Sequence, residues 1–165
     1  MQQGHEGHEQ MDQQMAGKHY RMLVLNVLIS AVLMYVLMFS MIWSGNDFVQ
    51  NINFIYMALI MAMPMGVLML IMMGPRCPNK AWNIGLYAGF GLVFLLSFVA
   101  TRDQTLVGDK QFVRSMIPHH SGALLMCREA AIRDAEVREL CFKPNGIVES
   151  QTREIEQMNR ILARL

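Results

Sequence analysis

The sequence predicts an all-α membrane protein: three apolar helices that cross a bilayer, followed by a water-exposed helical hairpin. Three observations predict it. Hydrophobic residues make up 53% of the 165 against 16% charged, a balance skewed toward the membrane class. The skew is local, because between Met22 and Ala100 the only charges are Asp47, Arg76 and Lys80, each lying between apolar runs. After Thr101 the apolar residues change to the three- and four-residue spacing of amphipathic helices.

The chain divides into a polar tail over residues 1–19, a transmembrane region over 20–101 and a soluble domain over 102–165. A helix rises about 1.5 Å per residue, so a hydrocarbon core roughly 30 Å thick needs about 20 apolar residues. Residues 22–43, 54–73 and 82–100 meet this, the second with Pro64 near its centre. Trp43, Trp82, Tyr20 and Tyr56 lie near span ends, as interfacial anchors do. A polar stretch precedes the first span and no small-residue cleavage site follows it, so it is expected to be retained rather than removed as a signal peptide. Lys18, Arg21, Arg76 and Lys80 share one side, whereas the Ser44–Asn53 loop has no cation. The positive-inside rule then predicts a cytoplasmic N-terminus and a periplasmic C-terminal domain in a bacterial inner membrane. Two rows of small residues, Gly85 with Gly89 and Ala58 with Ala62 and Gly66, are read as helix-packing devices.

In the soluble domain a helix is expected from Asp109, read as its N-cap, to about Arg133, with a turn at Asp134 and Ala135. A second arm from Glu136 is interrupted by Lys143-Pro144-Asn145-Gly146 and resumes from Ile147 to about Arg164. A net charge of +1 and the lack of any base-reading motif set nucleic acid aside as a partner. Three cysteines, Cys77, Cys127 and Cys141, show no paired spacing and therefore no disulfide framework.

Methionine is the outlier at 17 residues, which calls for either lipid-compatible filler or soft-metal chemistry. At 100° per residue Met116, His119, His120, Met126 and Cys127 fall within about a third of a helix circumference. Thioether, thiolate and imidazole together suit copper(I) or silver(I), with copper(II) a further candidate. On the second arm Glu154 and Met158 share an apolar stripe with Gln151, and a carboxylate turned inward there needs a histidine or a cation. In the tail, His5, His8, Met11 and Met15 stand in a stretch read as unstructured, which either captures metal loosely or is simply solvated. The membrane methionines, Met34, Met38 and Met41 on one stripe and Met57, Met61, Met65, Met69 and Met72 on another, either pack or relay metal.

The stretch "DKQFVRSMIPHHSGALLMCREA" followed by "IVESQTREIEQM" resembles the bacterial family catalogued as domain of unknown function 305, a ferritin-like helical module. Its hallmark positions are filled here by Met116, His119, His120, Ala123 and Met126, then Gln151, Glu154, Ile155 and Met158. The likeness covers roughly residues 109–162, and the three spans are similar to those of a membrane-anchored branch associated with copper and silver handling. One departure is Phe142 to Gly146, where that family runs an unbroken, shorter helix. The resemblance implies a binding protein rather than an enzyme. It would sequester copper or silver or hand it to a metal-exchange partner protein, the rivals being a structural accessory subunit and a redox-active oxidase. A lone hairpin buries little apolar surface, so two copies are expected to pair as a homodimer into a ferritin-like four-helix bundle.

Overall fold

A computed structural model describes the backbone of residues 2–165 and the side chains of residues 15–74 and 76–165. The side chains of His5, His8 and Met11 lie outside the described residues, and Met15 is exposed. The described residues form helices α1 (Gln2–Leu37), α2 (Ile52–Met72), α3 (Lys80–Arg102), α4 (Asp109–Glu129), α5 (Ala135–Phe142) and α6 (Ile147–Leu162), joined by short turns. No strand occurs among them. The chain separates into two compact units.

The first unit comprises residues up to Met34 together with Tyr56–Arg102. Met15–Met41, Ile52–Met72 and Lys80–Arg102 are long and apolar enough to cross a membrane. Large apolar side chains such as Val32, Leu68, Ile71 and Leu96 face outward, a surface that lipid tolerates and water does not. The α1 backbone runs unbroken from Met15 into the first span; the reading of the tail as unstructured falls on residues 1–14, outside the described side chains.

Tyr20, Leu23, Val27, Ala62, Met63, Leu70, Cys77 and Phe90 form the buried cluster of this unit. The small row on α2 packs as expected. Ala58 and Ala62 are buried, and a Cβ at Gly66 would meet Phe90 Cε2 and Val27 Cγ2 at 3.0 Å. At Gly85 and Gly89 nothing lies within 4 Å of a Cβ, so that row meets no other helix of this chain. Met57, Met61, Met65 and Met72 point outward, and it is Met63, outside the predicted stripe, that enters the core. Tyr20, near the start of the first span, is a buried clasp. Its hydroxyl donates to Asn83 Oδ1 at 2.8 Å and accepts from the Asn79 N–H at 3.1 Å, while Asn83 Nδ2 donates to the Cys77 carbonyl at 2.9 Å.

The second unit comprises Tyr35–Ile55 and Asp103–Leu165. Its core is Val113, Ile117 and Leu124 of α4 against Ile155 of α6, with Val148, Met158, Ile161 and Leu162 alongside. α4 is capped by Gly108 rather than Asp109, which lies in the first turn. α5 is capped by Asp134, whose side chain accepts from the Glu136 and Val137 N–H groups. The break before α6 has a steric cause. Asn145 adopts φ 61°, and a Cβ at Gly146 would lie 2.8 Å from the Lys143 carbonyl and 2.9 Å from that of Leu140.

The connection after the first span is not a free loop. The Trp43 N–H donates to Ser121 Oγ at 2.7 Å, and the Ser121 hydroxyl donates to the buried Asp47 Oδ2 at 2.6 Å. Asn53 Nδ2 donates to Ser115 Oγ at 3.1 Å, and the Arg128 guanidinium sits 4.8 Å from the Trp43 ring centroid. Phe39, itself buried, stacks its ring 4.1 Å from Phe48 and 4.9 Å from Phe54. This segment therefore covers one face of α4.

Candidate functional site

Two links set the direction of the hairpin. The Cys127–Cys141 disulfide (Cα–Cα 5.7 Å) ties the end of α4 to α5, and His120, two turns earlier, meets Glu154, two turns into α6. Going back along α4 means going forward along the second arm, so the arms are antiparallel. In an antiparallel pair, positions with equal summed numbers lie level. The sum for His120 and Glu154 is 274, which is also the sum for Met116 and Met158. One turn separates Met116 from His120 and Glu154 from Met158.

His120 Nδ1, itself buried, stands 2.9 Å from Glu154 Oε2 and pairs with that carboxylate across the two arms. Glu154 remains half exposed and also accepts from Gln151 Nε2 at 3.3 Å. Burial pulls the His120 imidazole below its ordinary value; the Glu154 carboxylate opposes this and His119 reinforces it. A ring held neutral can act as a ligand through its lone pair. Among the described residues no three His, Cys, Asp or Glu side chains converge, so any metal held here would need thioethers to complete its shell.

The predicted ligand set is divided between two faces of α4. His120 turns toward α6. His119 and Met126 are exposed, on a stripe with Phe112, Met116 and Ala123 at four- and three-residue steps. Met116 and Met158 are partly buried. Cys127 is corrected: it is buried in a disulfide and offers no thiolate. An odd cysteine count concealed the pair, because the unpaired Cys77 is buried in the other unit. Asp47 and Ser121 were also missed. The available signal was that Asp47 is the only acidic residue between Met22 and Ala100, placed where a carboxylate must find a partner.

The family described as Domain of unknown function (DUF305) matches residues 101–162. An uncharacterised protein of Acanthamoeba polyphaga mimivirus is 30% identical over 145 residues, which is 86% of this chain and 91% of its own length. A match that long extends beyond the domain into the apolar helices. No solved structure matches the chain. With Met116, His119, His120, Gln151, Glu154 and Met158 inside the matched region and a relative alike over nearly its whole length, the chain belongs to the DUF305 family.

Proposed function

We propose that the chain is a membrane-anchored copper(I)- or silver(I)-binding protein of the bacterial envelope that sequesters the ion or hands it to another protein. The observation that carries this reading is the buried His120 Nδ1 brought within 2.9 Å of Glu154 Oε2 across the two arms. Metal bonds of about 2.0–2.2 Å to nitrogen and oxygen place neighbouring donors about 3 Å apart. A cation between the two atoms can therefore bond to both. Met116 and Met158, level with each other one turn away, supply the thioethers that select a soft ion over magnesium or calcium. The role in this reading is binding rather than catalysis.

Two features support the envelope assignment. A disulfide persists in oxidising compartments, which suits a periplasmic domain above a cytoplasmic N-terminus. Docking of Trp43–Asn53 onto α4 requires that connection and the C-terminal domain to share a side of the membrane, as three successive spans demand. In this reading a second copy packs on the open stripe of Phe112, His119 and Met126, completing a four-helix bundle about a two-fold axis.

A second reading treats His120 and Glu154 as a polar clasp between α4 and α6 in an accessory subunit. It is favoured by the apolar core, which is complete without a metal. Competition titration of the full chain with copper(I) separates the two. Metal binding predicts affinity tighter than micromolar that falls at least about tenfold in His120→Ala, one ligand being worth about 1.4 kcal/mol or more. A clasp predicts equal, weak binding by both.

A further inference from the structure

The first unit holds a cavity of about 1160 Å³ between the start of the first span and the start of α3. It exceeds the roughly 300–1,000 Å³ of ordinary small-molecule pockets and is open along its length rather than enclosed. Lys18, Arg21, Leu25 and Leu28 line it from α1. Steps of three, four and three residues keep these four on one stripe of a helix turning 100° per residue. Tyr20, Leu23 and Val27 occupy the buried side of the same turns. Trp82 and Leu86 form the opposite wall.

The lining is graded along the helix axis. Two exposed cations sit at the mouth, and neither forms an ion pair with a described residue. Leucines continue the groove one to two turns deeper into the span, about 1.5 Å per residue. Trp82 stands at the boundary, its ring 6.2 Å from that of Tyr20. The Tyr20 hydroxyl bonds to Asn79 and Asn83 hold the two walls together, so the groove is a fixed feature of the unit. Arg76 and Lys80 lie in the same connection and are exposed, and no acidic residue is present between Lys18 and Lys80 except Asp47, which is buried in the other unit.

We infer that this groove is a binding site for an anionic phospholipid, with the phosphate and its negative head group at Lys18 and Arg21 and an acyl chain along Leu25 and Leu28. Paired cations above an apolar trough complement a ligand that is negative at one end and hydrocarbon at the other. A zwitterionic lipid fills the trough equally well but brings its own cation to the mouth. The preference therefore rests on the two basic side chains, each worth about fivefold near an anionic surface.

The test uses the full chain in neutral detergent with added phosphatidylglycerol or phosphatidylcholine of identical acyl chains. Lipid retention is read by native mass spectrometry and stability by thermal unfolding. Phosphatidylglycerol is expected to be retained with a preference of roughly thirty-fold, two cations' worth, and to raise the melting temperature more than phosphatidylcholine does. The double variant Lys18→Gln, Arg21→Gln is expected to lose that preference while still folding. Arg133→Gln with Arg160→Gln, in the other unit, is expected to keep it. Equal retention of the two lipids by the native chain overturns the proposal, as does an undiminished preference in the Lys18/Arg21 variant. Inorganic phosphate reproducing the whole shift would mean that the mouth binds free anions, and efficient cross-linking of Leu25→Cys between chains in lipid would mean that a second copy fills the groove; either result overturns it.

Discussion

Replacing both Cys127 and Cys141 with serine removes the one covalent link between α4 and the second arm. The pair spans a sequence separation of 14, and closing a loop of about 15 residues removes roughly 3 kcal/mol of chain entropy from the unfolded state at 25 °C. Burial adds to the loss, because both sulfurs sit in the core and two serine hydroxyls would have to find partners there. For a unit of this size each kcal/mol shifts the midpoint by about 4–8 °C, so the variant should melt roughly 12–24 °C lower. Trp43 is a local reporter, since its backbone bonds Ser121 and its ring carries Arg128. In a Trp82→Phe background its fluorescence follows the second unit alone. Reducing agent should reproduce the shift in the native chain and leave the variant unchanged. Alkylation after unfolding without reductant should add one label, at Cys77. Three labels, or a midpoint within a degree or two of native, would refute both the pairing and its part in holding the hairpin.

Ser121→Ala should cost about 1–3 kcal/mol, because it strips the Trp43 N–H and the buried Asp47 carboxylate of a shared partner; Ser150→Ala, whose hydroxyl only returns to its own helix, should stay within about 0.5 kcal/mol in the same denaturation assay. Gly66→Ala should lose about 1–3 kcal/mol by forcing Phe90 and Val27 apart, whereas Gly89→Ala should be neutral or slightly stabilising in detergent melts. His120 should titrate below its ordinary value in an NMR pH series, and lower still in Glu154→Gln, because the carboxylate is the influence that raises it. With the folded value below the unfolded one, the unfolded chain binds the extra proton: the stability His120 contributes is full above about pH 6.5 and is lost as pH falls through the folded value. An imidazole that titrates above its ordinary value would contradict the burial described for it.

The fold was largely legible in the sequence because each signal was local. Apolar runs of sufficient length marked α2 and α3, and the Lys143–Gly146 breaker fell where carbonyls crowd Gly146. The first span was displaced toward the N-terminus, since Ile42 turns extended and frees Trp43 for α4. What composition could not show was long-range pairing. Trp43 with Ser121, Asp47 with Ser121 and Cys127 with Cys141 depend on which face of α4 each neighbour takes. The helical period grouped Met116, His119, His120, Met126 and Cys127 within a third of a turn, yet two different neighbours and an open stretch divide that arc. α6 takes His120, the disulfide takes Cys127, and His119 with Met126 stays open. The pairing of His120 with Glu154 was legible as an inward carboxylate in need of a partner.

The proposed function places a soft ion among Met116, His120, Glu154 and Met158. X-ray absorption on the copper(I)-loaded full chain reads that shell, because scattering distinguishes sulfur from nitrogen and oxygen. The expected spectrum shows a mixed shell of imidazole nitrogen and thioether sulfur, with the sulfur contribution reduced in Met116→Leu with Met158→Leu and the imidazole contribution lost in His120→Ala. A nitrogen and oxygen shell without sulfur, unchanged in His120→Ala, would place the metal elsewhere and overturn the proposed site.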